Sequence, residues 1–314
     1  MKIISSSIIK SLKIAPSQCV QWVKDSFLIK KTVQLPPKVS LHPQGNDFFN
    51  TMPCLIPQLQ LFSVKVVHRT RNSVPALGSD IWLYNSTTGE LLAMLDGDWI
   101  TTMRTGAVAA LAAQTFRRSG KVKYGFMGLG NTGRAALLCL LDSEPDVPHQ
   151  VVLLRYKNQA ELFIERFIGY NNVTFTIVET ATELVSEADV LISCITDASG
   201  LVCENDEMFK KGCLVIPVHT RGFQNCDLFF DRVFADDRGH VQSFKYFDRF
   251  RSFAEFSEVL DSTAQGRTND KEQILCYNIG IGLHDALFSW KIINLLKVSP
   301  PEVMLDHETS KFWI

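Results

Sequence analysis

The sequence predicts an α/β fold: a doubly wound parallel sheet, with a smaller mixed α/β unit ahead of it. Three observations carry that expectation. From Lys121 onward, apolar strand-like runs alternate with helical ones, and strands separated by helices close into right-handed parallel βαβ units. The first such run, Tyr124 to Met127, enters Gly128-Leu-Gly-Asn-Thr-Gly133 and an Ala/Leu-rich helix, which is the G-x-G-x-x-G turn of a Rossmann-type unit. Before it, residues 33–96 read mostly as short strands separated by turn signals.

Taken in order, residues 2–10 suggest a short strand or entry segment, and Pro16 stands where a helix can begin. Val20, Val23, Phe27 and Leu28 recur at helical spacing, and Pro36-Pro37 ends that pattern. Strand-like runs follow at 39–42, 48–57, 61–68, 80–85 and 91–96. Helical pattern resumes at Thr101/Thr102 and continues to about Arg118, with an alanine-rich, slim surface. Beyond Lys121 the expected order is strand 122–127, helix 132–142, strand 150–154, helix 159–168, strand 173–178, helix 181–186 and strand 189–194. A short helix near 205–210, strand 213–218, strand 233–237 and a helical region 253–261 complete the series. The last long helix is expected over roughly 271–296. The domains expected are therefore 1–118 and a nucleotide-binding domain 119–270, with the C-terminal helix of segment 271–314 crossing back.

Bulk properties narrow the function. In 314 residues, 46% are apolar, so a sizeable core can form. The formal charge is −1, which offers no electrostatic footing for nucleic acid or an anionic membrane surface. Eight cysteines are scattered with no C-x-x-C and no paired His/Cys spacing, as expected of reduced thiols rather than a disulfide framework or metal site. The N-terminus lacks a continuous apolar h-region, and no apolar run approaches the ~20 residues of a membrane span. The expectation is a cytoplasmic protein with neither nucleic acid nor membrane as partner.

The glycine turn is the strongest chemical signal. Its first glycine permits the tight turn, the second lets backbone approach a pyrophosphate, and the third lets helix pack on strand, with the helix N-terminus facing the anion. After the second strand of such a unit an NAD-binding enzyme usually carries Asp or Glu for the ribose hydroxyls. Here V-V-L-L is followed by Arg155-Tyr-Lys157, which leans toward a 2′-phosphate and hence NADP(H), the alternative being a solvated loop. Arg104, in T-T-M-R-T-G-A, is either a surface arginine or a buried one. If buried it needs an anionic partner, and a substrate carboxylate or a cofactor phosphate would serve. Lys65 interrupts F-S-V-K-V-V and shares a face with Ser63 and Val67; from spacing alone it reads as a solvated lysine on an edge strand.

Together these landmarks resemble the ornithine cyclodeaminase/mu-crystallin family over nearly the whole chain. They are Pro36-Pro37-Lys38, Met52-Pro53, Lys65 with Asn72, Thr101 to Ala107, Gly128 to Gly133, Ser193-Cys-Ile-Thr196, Asn278-Ile-Gly280 and Asp285. The resemblance implies a homodimer formed through the sheet of the N-terminal, substrate-binding domain, and NAD or NADP bound by the Rossmann domain. It implies hydride transfer at a carbon bearing an amino or imino group. By motif position, Lys38 (where arginine is usual), Lys65 and Arg104 would hold a substrate carboxylate, and Lys65 could share a proton with the imine nitrogen. Gly128, Gly130, Asn131, Thr132 and Gly133 would take the pyrophosphate. Ser79 and Thr105 would lie near the cofactor, and Thr196, the strand end Val215 to Val218, and Asn278 would line its nicotinamide side.

One departure bears on the reaction. Ornithine cyclodeaminases place an aspartate shortly after the fifth Rossmann strand; here that position falls on Arg221, or on Thr220 if the gap shifts by one. Arginine cannot act as a base near neutral pH; it repels a substrate ammonium and attracts a second carboxylate. The adjacent His219 can titrate usefully, or it is a hydrogen-bonded structural histidine. The leading expectation is an NAD(P)-dependent oxidoreductase acting on an amino acid or imine, of the ketimine reductase or opine/amino acid dehydrogenase type. The alternatives are a cyclodeaminase-type lyase in which His219 or Asp227 replaces the lost base, and a non-catalytic mu-crystallin-like protein that holds NADPH and a small ligand.

Overall fold

The computed structural model describes residues 1–196, 202–203, 205–219, 228–308 and 310–311. The first part of the chain runs β1 (Lys2–Ile4), α1 (Ser6–Ser11), α2 (Pro16–Ile29), β2 (Val39–Leu41), β3 (Phe48–Ile56), β4 (Leu61–Arg69), β5 (Leu77–Asn85), β6 (Leu91–Asp96) and α3 (Asp98–Phe116). Its strands form one six-stranded sheet in the order β1-β6-β5-β4-β3-β2, antiparallel throughout except for the β1–β6 pair.

The second part runs β7 (Lys123–Met127), α4 (Asn131–Ser143), β8 (His149–Leu154), α5 (Gln159–Glu165), β9 (Val173–Val178), α6 (Ala181–Glu187), β10 (Val190–Ser193), β11 (Leu214–Pro217), β12 (Arg232–Ala235), α7 (Arg238–Val241), β13 (Phe253–Glu255), α8 (Phe256–Leu260), β14 (Ile274–Tyr277) and α9 (Gly282–Leu295). Its eight strands are all parallel, in the order β13-β12-β14-β11-β10-β7-β8-β9. The chain thus forms the α/β architecture with a doubly wound parallel sheet that its strand–helix alternation predicts.

Two readings need correction. The helix expected over 271–296 is a strand followed by a helix: Ile274–Tyr277 enters the parallel sheet between β11 and β12, and only Gly282–Leu295 is helical. All four residues of β14 are buried. A strand covered on both faces reads as a continuous apolar run, which periodicity cannot separate from a buried helix. The helical region expected over 253–261 likewise begins as β13. Residues 206–208 form only a single 3₁₀ turn where a short helix is expected.

The alanine run of α3 explains how the two sheets are joined. Gly106 leaves so little space that a Cβ there would lie 2.5 Å from the backbone of Ala135 and Ala136 in α4. Small residues let the two helices approach at backbone distance, and α3 buries Ala107 to Ala113 continuously. Helix α9 packs on α2 and α3 and on strands β3, β4 and β5 of the six-stranded sheet. No helix among the described residues is long and apolar enough to cross a membrane.

Candidate active site

The turn after β7 is built by three glycines with three different tasks. Gly128 has φ +81°, and a Cβ on it would lie 2.4 Å from the Cys194 carbonyl carbon, so neither the conformation nor the space admits a side chain. Gly133 faces the Gly128 carbonyl oxygen, which would be 2.7 Å from an added Cβ, and this permits α4 to sit close to the turn. Gly130 has no neighbour within 4 Å of that position and opens onto a groove of about 610 Å³. It is also the residue before α4, and no side chain caps the helix. Uncapped first-turn N–H groups above a residue with no Cβ suit an anion such as a pyrophosphate.

The groove is lined by the turn itself, with Asn131 and Thr132, and by Ser79, Arg155 and Thr196. Ser79 is held by Asp98 at the start of α3, whose Oδ1 accepts the Ser79 N–H at 2.7 Å; the two hydroxyls of Ser79 and Thr101 lie 3.0 Å apart. Arg155 follows β8, but its guanidinium is already engaged. Its Nε donates to Glu179 at 2.8 Å and its Nη1 donates to Glu161.

A second cavity, of about 220 Å³, adjoins the groove and shares Leu77, Thr101, Thr132 and Cys194 with it. Lys38, Arg104, Thr105, Asn50 and Val218 contribute to its wall. Among its described lining residues there is no carboxylate. Behind this wall lies a buried ion cluster. Asp285, from the first turn of α9, meets Lys65 Nζ at 2.7 Å through one oxygen and accepts from Arg104 Nε at 3.1 Å through the other. Lys65 and Asp285 are wholly buried and Arg104 is 5% exposed. The far end of the Arg104 guanidinium rests on Gly280 (φ +95°), where a Cβ would lie 2.5 Å from Nη1. Gly280 N–H in turn donates to Asp236 at 2.5 Å.

This arrangement sets the charges. Burial, reinforced by neighbouring Arg104, pushes the Lys65 ammonium down to about 7, although Asp285 opposes that shift. Burial also lowers Lys38, with Asp236 opposing and Arg104 adding to the effect. Burial raises Asp236. Two arms of positive charge, Arg104 and Lys38, therefore face a small cavity, and the acid behind it, Asp285, is already committed to Arg104 and Lys65.

The structure brings together most of the residues singled out from sequence, and separates some. Lys38, Arg104, Thr105 and Val218 meet at the inner cavity; Gly128, Gly130, Asn131, Thr132, Gly133, Ser79, Arg155 and Thr196 meet at the groove. Lys65 is not a solvated edge-strand lysine: β4 lies between β3 and β5, and the face shared by Ser63, Lys65 and Val67 is the buried one. It lies behind the cavity wall rather than on it. His219 lines neither space, and its Nε2 lies 2.7 Å from the Ser193 hydroxyl. Asn278 also lies off both cavities, with its side-chain nitrogen buried and without a hydrogen-bond partner among the described residues. Arg221, Thr220 and Asp227 lie outside the described residues. Spacing alone assigns Asp285 no role, although a lone acid inside the apolar run G-L-H-D-A-L-F signals a buried cation elsewhere. No group of acidic, His and Cys residues suited to a metal ion occurs among the described residues, and the described cysteines are free thiols.

The nodulation efficiency protein NfeD of Rhizobium meliloti is 24% identical to this protein over 271 residues, covering 83% of each chain. The Δ1-pyrroline-2-carboxylate reductase of Colwellia psychrerythraea is 23% identical, covering 94% of this chain and 99% of its own. Among solved structures, the Thermococcus litoralis Δ1-pyrroline-2-carboxylate reductase in complex with NADH and L-proline superposes with a TM-score of 0.82 at 21% identity, covering 94% of this chain and 97% of that one. The model of one family matches residues 4–297, a span that takes in both sheets, the glycine turn and the Lys65–Asp285–Arg104 cluster, and the chain belongs to that family, the ornithine cyclodeaminase/mu-crystallin family.

Proposed function

We propose that the protein is a nicotinamide-dinucleotide-dependent oxidoreductase that reduces the C=N bond of a small imino carboxylate, or oxidises the corresponding amino acid. The observation that carries this reading is the placement of a small cationic cavity directly beside the glycine-turn groove, with four residues common to both. Reductases of this substrate type stand among its relatives and structural neighbours.

In this reading Gly128, Gly130, Asn131, Thr132 and Gly133 hold the pyrophosphate, and Ser79, Thr105, Thr196 and Val218 surround the nicotinamide half. When bound, the dinucleotide supplies or accepts the hydride at its nicotinamide ring. Arg104 and Lys38 fix the substrate carboxylate, and holding two reactants in one geometry supplies much of the rate enhancement. Asp285 aims the Arg104 guanidinium. Lys65, with its ammonium poised near neutrality, controls the positive charge behind that wall. If Arg221 faces the cavity, it selects a substrate with a second carboxylate.

We also read the protein as a homodimer. The face of the six-stranded sheet turned away from its helices is apolar but only half-buried: Pro53, Val64, Trp82 and Met94 form one row across four strands. Free thiols throughout the described cysteines suit a reducing compartment such as the cytoplasm.

The test follows nucleotide absorbance with a cyclic imino carboxylate, then with keto acids plus amines. Oxidation of the reduced dinucleotide with stoichiometric amine product is expected. Conversion of ornithine to proline and ammonia, with every imine inert, would sink the proposal.

A further inference from the structure

We propose that Glu161 and Glu179 set the coenzyme choice, by occupying Arg155 so that the groove takes NADH at least as readily as NADPH. The inference rests on the dinucleotide half of the function proposed above, and it reverses the preference for a 2′-phosphate that the sequence alone suggests.

Arg155 is the first residue after β8, the position at which a Rossmann-type unit meets the ribose of the adenosine half. An uncommitted arginine there is a 2′-phosphate ligand. This arginine is committed twice, from two separate elements. Its Nε donates to Glu179, which follows the edge strand β9, and its Nη1 donates to Glu161 in the first turn of α5. The corner is also ordered by its backbone. Arg155 N–H donates to the Val178 carbonyl at 2.9 Å, and Glu179 N–H donates to Glu183, the residue that completes the capping box of α6.

The charges decide what the corner prefers. Arg155 and Lys157 contribute two positive charges, Glu161 and Glu179 two negative ones, so the four cancel; Glu183 adds a further negative charge nearby. A 2′-phosphate, carrying nearly two negative charges, would meet a guanidinium with two of its three nitrogens already donating and two carboxylates beside it. A ribose hydroxyl brings no charge to be repelled. The pairs are exposed, with side-chain accessibilities of 36% for Arg155, 46% for Glu161 and 65% for Glu179, so they bias the choice rather than forbid NADPH.

The experiment titrates the wild type, Glu161→Gln, Glu179→Gln and the double variant with NADH and with NADPH, following nucleotide fluorescence. The expected wild-type ratio Kd(NADPH)/Kd(NADH) is one or more, and the double substitution should lower it about tenfold, because like-charge repulsion is relieved and Arg155 released. Adding Arg155→Ala to the double variant should abolish that gain. A wild type that binds NADPH tighter than NADH overturns the inference, as does a ratio that the double variant leaves unmoved. Both of those outcomes leave the oxidoreductase reading standing. Failure of the wild type to bind either nucleotide removes that reading, and this inference with it.

Discussion

Arg104 and Arg155 each give an Nε–H to a carboxylate, at 3.1 Å and 2.8 Å, yet the two pairs do different things. The Arg104 pair is sealed between α3 and α9 with Lys65 sharing the same acid, while the Arg155 pair stands in solvent at the mouth of the groove. Distance does not rank them, since the shorter pair is the weaker. Water screens exposed charges and solvates each partner when the pair opens. In the interior, an orphaned charge has nowhere to go. The buried cluster is therefore a structural commitment that also shapes the cavity, and the exposed one is an adjustable filter.

The largest expected effect comes from breaking the buried cluster. Asp285→Asn leaves Arg104 and Lys65 facing each other without an anion, and should cost about 3–5 kcal/mol of stability, the usual penalty for removing one partner of a buried pair. Urea unfolding at fixed pH reads it. Glu179→Gln, by contrast, should leave the unfolding midpoint where it was. Equal effects from the two substitutions would break the comparison. Next in size is Arg104→Lys, which retains the charge but not the planar fork; KM for the carboxylate substrate should rise roughly ten- to a hundredfold, the worth of one charge-assisted bond, with dinucleotide affinity unchanged. Steady-state kinetics with both substrates varied separates the two.

A third effect is pH-dependent. With burial holding Lys65 down to about 7, its ammonium is present below that pH and lost above it. Deprotonation removes one positive charge from behind the cavity wall and leaves Asp285 to Arg104 alone, so KM for a carboxylate substrate should rise as pH increases through about 7. Lys65→Met should lack that limb. The stability consequence runs in the opposite sense. The folded-state value lies below the ordinary 10.5, so between about 7 and 10.5 the unfolded chain binds more protons than the folded one. The stability linked to Lys65 is full above that window and lost as pH falls through it. Wild type should therefore gain stability from pH 7 to 10 relative to Lys65→Met, measured by urea midpoints at each pH.

The same contrast explains what could be read in advance. The glycine turn and the strand–helix alternation are local patterns, and each of the three glycines stands where a side chain would close a turn, a helix approach or an open groove: Gly128 with positive φ, Gly133 against the turn, and Gly130 with open space before it. Spacing alone does not place Lys65, because a lone cation in an alternating apolar strand looks the same whether it faces solvent or a buried acid, and its acid comes from a distant helix. Arg104 and Asp285 are 181 residues apart. The strand Ile274–Tyr277 was hidden by burial on both faces, which erases the period that would separate it from a helix. Arg155 was legible as a cation at the ribose position but not as a paired one, since one of its partners arrives only after a further strand.

The smallest expected effect is the one that separates the two arginines most cleanly. Raising salt from about 0.1 M to about 1 M shortens the screening length from roughly 10 Å to roughly 3 Å. The Arg155 pairs are exposed and should weaken, and so should the repulsion that Glu161 and Glu179 present to a 2′-phosphate. The direct attraction between Arg155 and that phosphate weakens as well, so the ratio of NADPH to NADH affinity should move only a fewfold. The buried cluster is shielded from the ions, and the pH at which the Lys65 limb appears should stay near 7 at both salt concentrations. A limb that shifts with salt as much as the coenzyme ratio does would mean that water and ions reach Asp285, and that the two arginines differ in position but not in kind.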